Sequence, residues 1–378
     1  MSRFSCCLAL LFTVVLPAAA QQRPGVATAF ARARHLSHGI NVSHWFSQNP
    51  NDYSAHHTDT ETTPEDIALI ARLGFDNVRL SIDAAPLEQS SRWPDALNPD
   101  FLARLDRAVD QMMAQGLAVQ IDIHPEDGYK QQLRADNNAV DRLVRLWRLL
   151  AAHYAGRDPA LIYFEILNEP EVADPYRWAG IQTRIAAAIR QAAPLNTIIA
   201  TGPNYSGIHD LLAIQPLPDG NVIYNFHFYE PHTFTHQGAN WGLSWWSYEH
   251  GVPYPATEES MRQLVAQVPD PADRFDYQNY WLDHWDARRI RLQIDEAADW
   301  GRAQNVPLLC NEFGAYRRVT DPLSRANWIH DVRSALEADG IGWAMWDFHG
   351  GFGVVTAGHG QTAEIDGVTV GALGLVQK

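Results

Sequence analysis

The stretch LIYFEILNEPEV, residues 161–172, runs apolar and aromatic from Leu161 to Leu167 and then meets Asn168, Glu169 and Pro170. A short apolar run bounded by such a break has the pattern of a parallel strand buried on both faces. A carboxylate at its end sits where burial disfavours charge. Similar runs recur along the chain: HGINVSHW near 38, FDNVRLSI near 75, LAVQIDIH from 117, NTIIAT from 196, NVIYNFHFY from 221, VPLLCNEF from 306 and IGWAMWDF from 341. Amphipathic helical segments separate most of them, over Pro64–Leu73, Asp100–Gln115, Val140–Ala155, Tyr176–Ala193, His284–Gln304 and Pro322–Ala338. A fifth helix near Ser206–Ile214 is weak, and the last is reduced to VGALGL near the terminus. Strand then helix, eight times over, predicts a (β/α)8 TIM barrel.

Local punctuation agrees with this reading. Thr63 before Pro64 and Glu65 is a helix cap with proline at the first helical position. Gly74 and Gly116 stand where a helix ends in a left-handed residue. No G-x-G-x-x-G turn follows the first strand, which disfavours a doubly wound open sheet.

One interval breaks the rhythm. Glu230–Asp283, after the sixth strand, carries Trp241, Trp245, Trp246, Tyr248, Tyr254, Tyr277, Tyr280 and Trp281. So many aromatics disfavour disorder, so a folded lid beside the barrel mouth is expected.

Residues 1–20 read as a secretory signal peptide, with Arg3, the apolar core CLALLFTVVL and AAA before Gln21, so cleavage near Ala20 is expected. The remainder, 21–378, reads as one barrel domain acting outside the cytoplasm, in the periplasm or beyond, as a monomer. Of three cysteines only Cys310 would remain, which excludes an internal disulfide and a C-x-x-C metal site. A formal charge of -15 with no Lys and Arg block argues against nucleic acid and anionic membranes as partners.

Barrel active sites lie at the C-terminal ends of the strands. There the sequence places Arg79, His124, Asn168 with Glu169, His227 with Tyr229, Glu312 and Trp346, from strands two, three, four, six, seven and eight. Singly these are weak signals, since a histidine or tryptophan at a strand end is commonly structural. Two carboxylates facing each other across the barrel are different, because burying uncompensated acids for structure alone is costly. They are what glycoside hydrolysis needs: a proton donor on one side of the bond and a base or nucleophile on the other. Partial desolvation is expected to keep Glu169 protonated, while donors such as Arg79 and Tyr229 hold its partner ionised.

The set Arg79, His124, NEP at 168–170, HFY at 227–229, NEFG at 311–314 and Trp346 resembles glycoside hydrolase family 5, the cellulase family of barrel glycosidases. The resemblance implies retaining double displacement without a cofactor or metal. It makes Glu169 the general acid and base and Glu312 the nucleophile. Tyr229 and Arg79 would support Glu312, and His227 would approach Glu169. Asn168 and His124 would bind sugar hydroxyls, and Trp346 would lie under the ring at the cleaved subsite. Sugar rings stack their C–H faces on flat indoles, so Trp45, Trp241, Trp245 and Trp246 are further candidate platforms, whereas Trp147, Trp178, Trp300 and Trp328 read as helix packing. The expected partner is a polysaccharide or oligosaccharide, with β-1,4-glucan cut internally as the favoured substrate and β-mannan as the runner-up. A carbohydrate-binding protein without catalysis is the reading from a different class. A metal-dependent hydrolase, suggested by His56, His57, His232 and His236, lacks a His-x-His pair at the first strand.

Overall fold

The computed structural model describes residues 23–49, 52–268, 271–356 and 363–376. The signal-peptide reading of residues 1–20 lies outside them. Eight parallel strands close in sequence order, β1 (His38–Phe46), β2 (Asn77–Ile82), β3 (Ala118–Ile123), β4 (Ile162–Glu165), β5 (Thr197–Thr201), β6 (Val222–Phe228), β7 (Leu308–Phe313) and β8 (Gly342–Met345), with β8 pairing back onto β1. This is a (β/α)8 TIM barrel.

The main helices lie where the sequence puts them. Pro64–Arg72 starts at Thr63, whose hydroxyl accepts from the Asp66 N–H while the Asp66 carboxylate accepts from the Thr63 N–H. Gly74 and Gly116 follow their helices at φ 98° and 77°, the left-handed region that costs glycine least. The helix after β5 shrinks to Ile208–Leu212, and the last covers Gly367–Ala372. The sequence reading misses the short helices Val26–Ala33, Ala55–Thr60, Ala84–Glu88 and Asp127–Leu133. The last three lie in loops that follow strands, outside the main rhythm.

Apolar residues seal the layer between barrel and helices. Trp147, Trp178 and Trp328 are fully buried there, and Trp300 packs edge-on against Tyr224. The barrel interior is different, because side chains alternate inward and outward along a strand. Inward positions carry Asn41, Asn77, Arg79, Gln120, Asp122, Glu165, Asn225 and Asn311, all buried; Arg79, Asn41, Asp122, Glu165, Asn225 and Asn311 join in one polar network across the bore, and Gln120 donates to Asn77 on the neighbouring strand.

The insertion after β6 folds into the short helices His232–Thr235, Ser244–Ser247, Glu258–Gln267 and Pro271–Leu282. Val252, Tyr254, Met261, Tyr277 and Tyr280 are buried, and the Tyr254 hydroxyl donates to Asp331 at 2.8 Å, tying the insertion to the helix Pro322–Ala338. No helix among the described residues is long and apolar enough to cross a membrane.

Candidate active site

The C-terminal mouth of the barrel gathers the residues that the strand ends supply. Arg79 lies deeper than a strand end, third in β2, with its guanidinium fully buried. Its Nε and Nη2 donate to the two oxygens of Glu165 at 2.7 and 2.8 Å. Nη2 also meets Asp122 and the Asn168 Oδ1 at 3.0 Å, and Nη1 donates to the Asn41 Oδ1 at 3.0 Å and to Glu312 Oε1 at 2.5 Å. One cation thus faces three carboxyl groups. Burial opposes its charge, but Asp122, Glu165 and Glu312 outweigh that and hold the guanidinium firmly protonated. The acids share its charge unequally: burial lifts Asp122 to about 7, with Arg79 opposing, and raises Glu165 in the same direction.

Glu312, on β7, is gripped from two sides. Oε1 accepts from Arg79, and Oε2 accepts from the Tyr229 hydroxyl at 2.9 Å. Burial and the Glu312 charge push the phenol well above its ordinary value, so it remains a donor throughout the working range. Glu169 lies four residues beyond β4, on a loop where its own backbone is left-handed at φ 39°. Its side chain keeps 27% exposure, enough to reach a ligand in the mouth.

His227 bridges the two acids. Its Nδ1 stands 3.0 Å from Glu169 Oε1 and 3.5 Å from Glu312 Oε2. One ligating atom from each of Glu169, His227 and Glu312 falls within a 4.8 Å span. Burial alone would favour neutral imidazole, but the Glu312 charge and the Glu169 hydrogen bond and charge raise His227 above its usual value. For Glu169, burial pushes upward, and the hydrogen bond and charge of His227 overturn it, drawing the carboxyl down to about 2. Against the expectation that desolvation alone keeps Glu169 protonated, His227, with Nδ1 3.0 Å from Oε1, favours the ionised carboxylate. The partner that reverses the balance comes from another strand, which a local reading of residues 161–172 does not show.

A relay fixes the third wall. Asn168 Nδ2 donates to His124 Nε2 at 3.1 Å, which leaves the proton on Nδ1, 3.0 Å from Asp122. Burial and Arg79 hold His124 down at about 3, so the ring is neutral and the relay is uncharged at His124. Asn168 Oδ1 is already committed to Arg79, so the amide has one orientation. Asn41, Asp122 and Glu165, which lock this network, are residues the sequence reading missed. Their signal is the polar residue recurring at every second position in the strands.

The tryptophans divide. Trp346 stacks 5.8 Å from His124 and joins Ala239, Tyr316 and Phe352 in a small apolar cluster, against which Tyr229 and Trp246 pack. Trp241 stands edge-on to Tyr316 at 4.8 Å and is 44% exposed, Trp246 stacks flat on His232 at 5.5 Å, and Trp245 is exposed on the same short helix. Trp45 is not a platform. It is 3% exposed, donates its indole N–H to the Thr58 carbonyl at 2.8 Å and packs against Phe46. The β1 register slips between Val42 and Phe46, where His44 is left-handed at φ 59°, and that slip breaks the alternation that would aim Trp45 into the mouth.

Glu169, His227 and Glu312 are also the only group among the described residues with spacing suited to a cation. Both oxygens of Glu312 are already engaged by Arg79 and Tyr229, and a fixed guanidinium 2.5 Å away opposes a second cation. Of the other histidines, His57 bonds backbone carbonyls of His44 and Trp45, and His232 and His236 stack on Trp246. The residues do not fit a metal centre.

Two apposed carboxylates, held by fixed donors at the open end of a TIM barrel with an indole beside them, have the chemistry of a glycosidase-type site. The profile of the family described as Cellulase (glycosyl hydrolase family 5) matches residues 38–351, and the chain belongs to that family. It is a glycoside hydrolase of the cellulase type. It is similar to Endoglucanase C of Acetivibrio thermocellus, 33% identical over 316 residues, covering 82% of this chain and 90% of that one. Among solved structures, a hyperthermophilic endo-beta-1,4-glucanase in complex with substrate is 27% identical with TM-score 0.72, covering 92% of this chain and 99% of that one. Thermotoga maritima Cel5A, solved with cellobiose and with mannotriose, is 25% identical in both, with TM-scores 0.74 and 0.72, covering 91% of this chain and 98% and 99% of those.

Proposed function

We propose that the protein is a retaining endo-β-1,4-glucanase working by double displacement, with Glu312 as nucleophile and Glu169 as acid and then base. The observation that carries this is the closeness of the two acids, one oxygen of each lying within 4.8 Å of the other beside His227. Retaining enzymes hold their carboxyls about 5–5.5 Å apart, whereas inverting ones leave about 6.5–9.5 Å for a water. Glu312 attacks the anomeric carbon as a carboxylate whose other lone pairs are steadied by Arg79 and Tyr229. The departing oxygen takes its proton through Glu169 from the pair that Glu169 forms with His227. Ester formation neutralises Glu312, which removes one of the charges that favour a protonated His227 and so eases proton transfer out of the pair. Glu169, again a carboxylate, then deprotonates the water that hydrolyses the ester. Asn168, oriented by Arg79 and His124, is placed to receive a hydroxyl of the bound sugar, and Trp346 offers the ring a flat apolar face.

β-1,4-Glucan is favoured because the similar proteins are named endoglucanases. β-Mannan is the second reading, supported by the mannotriose complex of Thermotoga maritima Cel5A. The exposed Trp241, packed against Tyr316 of the Trp346 cluster, fits an extended chain crossing the cleft. Secretion and a monomeric state belong to the same proposal, the first resting on the character of residues 1–20; Edman sequencing and light scattering of the native protein test them. Reducing-sugar release from carboxymethyl cellulose and mannan decides the substrate. Glu169→Ala and Glu312→Ala should each lose several orders of magnitude in turnover while folding normally, with azide restoring Glu312→Ala as a glycosyl azide. Either variant retaining wild-type rates would refute the assignment, as would oligosaccharide binding with no cleavage by the wild type.

A further inference from the structure

Two residues after the acid, Glu171 occupies a setting that the chemistry just described does not use. It is buried, and its backbone, like that of Glu169, is left-handed, at φ 53°. A non-glycine residue in that region carries strain and persists only where its surroundings over-determine it. Here the surroundings are a polar clamp. Lys130, from the helix Asp127–Leu133, is 5% exposed in its side chain and places Nζ 3.0 Å from Glu171 Oε1. Arg134, just beyond that helix, donates Nη2 to Glu171 Oε2 at 2.8 Å and Nε to the Glu171 carbonyl at 2.7 Å. The Glu171 N–H donates to the Asn204 carbonyl at 2.8 Å, joining the loop after β4 to the loop after β5.

A buried ion pair is a poor way to gain stability, because desolvating both charges cancels most of their attraction and a hydrophobic pair of similar volume does as well. What such a pair supplies is a fixed position. Only Pro170, with its restricted φ, separates Glu171 from Glu169. Fixing both the main chain and side chain of Glu171 therefore fixes the segment that carries the acid. Lys130 also lies near enough to Glu169 to favour its ionised form.

We propose that Lys130, Glu171 and Arg134 form a positioning clamp for the proton donor, acting through Glu169 and not on the sugar. This rests on Glu169 being that donor. The loop after β3 thereby sets the geometry of a residue delivered by β4. A displacement of about 1 Å at a reacting group costs on the order of 100-fold, so the clamp should matter most where proton donation is most needed.

The test compares kcat/KM on cellotetraose, whose departing alkoxide needs a proton, with 2,4-dinitrophenyl β-cellobioside, whose leaving group departs without one. The variants are Lys130→Met and Arg134→Gln, with Glu169→Gln as reference. Arg134 is half-exposed, so its variant is expected to fold, and circular dichroism checks both. Clamp variants should lose about 10- to 100-fold on cellotetraose and stay within about threefold on the aryl substrate, since kcat/KM for the latter reports a step free of acid catalysis. Equal losses on both substrates, or none on either, would overturn the clamp if Glu169→Gln itself discriminates between them. If Glu169→Gln also loses equally on both, the reading of Glu169 as the acid falls, and the clamp with it.

Discussion

Replacing Arg79 by lysine keeps the charge and removes the fork. The arginine donates along five contacts, two to Glu165 and one each to Asn41, Asn168 and Glu312, with Asp122 at 3.0 Å as a further ionic neighbour. An ammonium group has three donors radiating from one point. At least two contacts are therefore lost, and the lost ones include part of the bidentate pairing to Glu165. A hydrogen bond to a charged group contributes about 1.5–3 kcal/mol, so Arg79→Lys should cost at least ~3 kcal/mol, a large share of the ~5–15 kcal/mol that stabilises an ordinary domain. Urea titration followed by tryptophan fluorescence measures this as a drop in midpoint at unchanged slope. Activity should fall as well, because Glu312 loses the donor on Oε1. A loss below ~1 kcal/mol would show that the buried network does not depend on the guanidinium geometry, and would refute the argument.

Three other outcomes are expected. Asp347 is fully buried, its carboxyl is pushed up to about 7 by burial, and it is held by Ser43 at 2.5 Å. The folded chain then binds a proton more tightly than the unfolded one, so this group favours folding below about pH 4 and that contribution fades as pH rises towards 7. Asp347→Asn should flatten this part of the stability profile, a change on the order of 4 kcal/mol between the two limits, and a profile of unaltered slope in urea titrations would contradict it. Trp45→Phe should destabilise by about 1 kcal/mol through the lost bond to Thr58 and leave KM untouched; a raised KM would restore it as a sugar platform. Trp346→Ala should raise KM for cellotetraose by about tenfold, as removal of an aromatic contact of ~1.5 kcal/mol implies, and an unchanged KM in the same assay would remove Trp346 from the binding face.

The barrel was legible because the strands are buried on both sides and several begin as short apolar runs, as in Ile162–Glu165 and Leu308–Phe313. Glu169 and Glu312 stood out for the same reason, as acids at the ends of those runs. Asn41, Asp122 and Glu165 did not, since a polar residue inside an apolar strand has no local mark of what it faces. Their partners are up to 304 residues away along the chain, as for Asn41 and the Met345 carbonyl. Trp45 was misread because a register slip at His44 is invisible to a pattern that assumes strict alternation. The influence of His227 on Glu169 was hidden similarly, because it depends on a 3.0 Å approach between β6 and the loop after β4.

The central claim is that Glu312 bonds to the sugar while Glu169 serves the departing oxygen. Mass spectrometry after reaction with 2,4-dinitrophenyl 2-deoxy-2-fluoro-β-cellobioside, which slows ester hydrolysis, tests it directly. A single cellobiosyl adduct on the peptide that carries Glu312 is predicted. An adduct on Glu169, or turnover to the α-anomer with no adduct, would contradict the account.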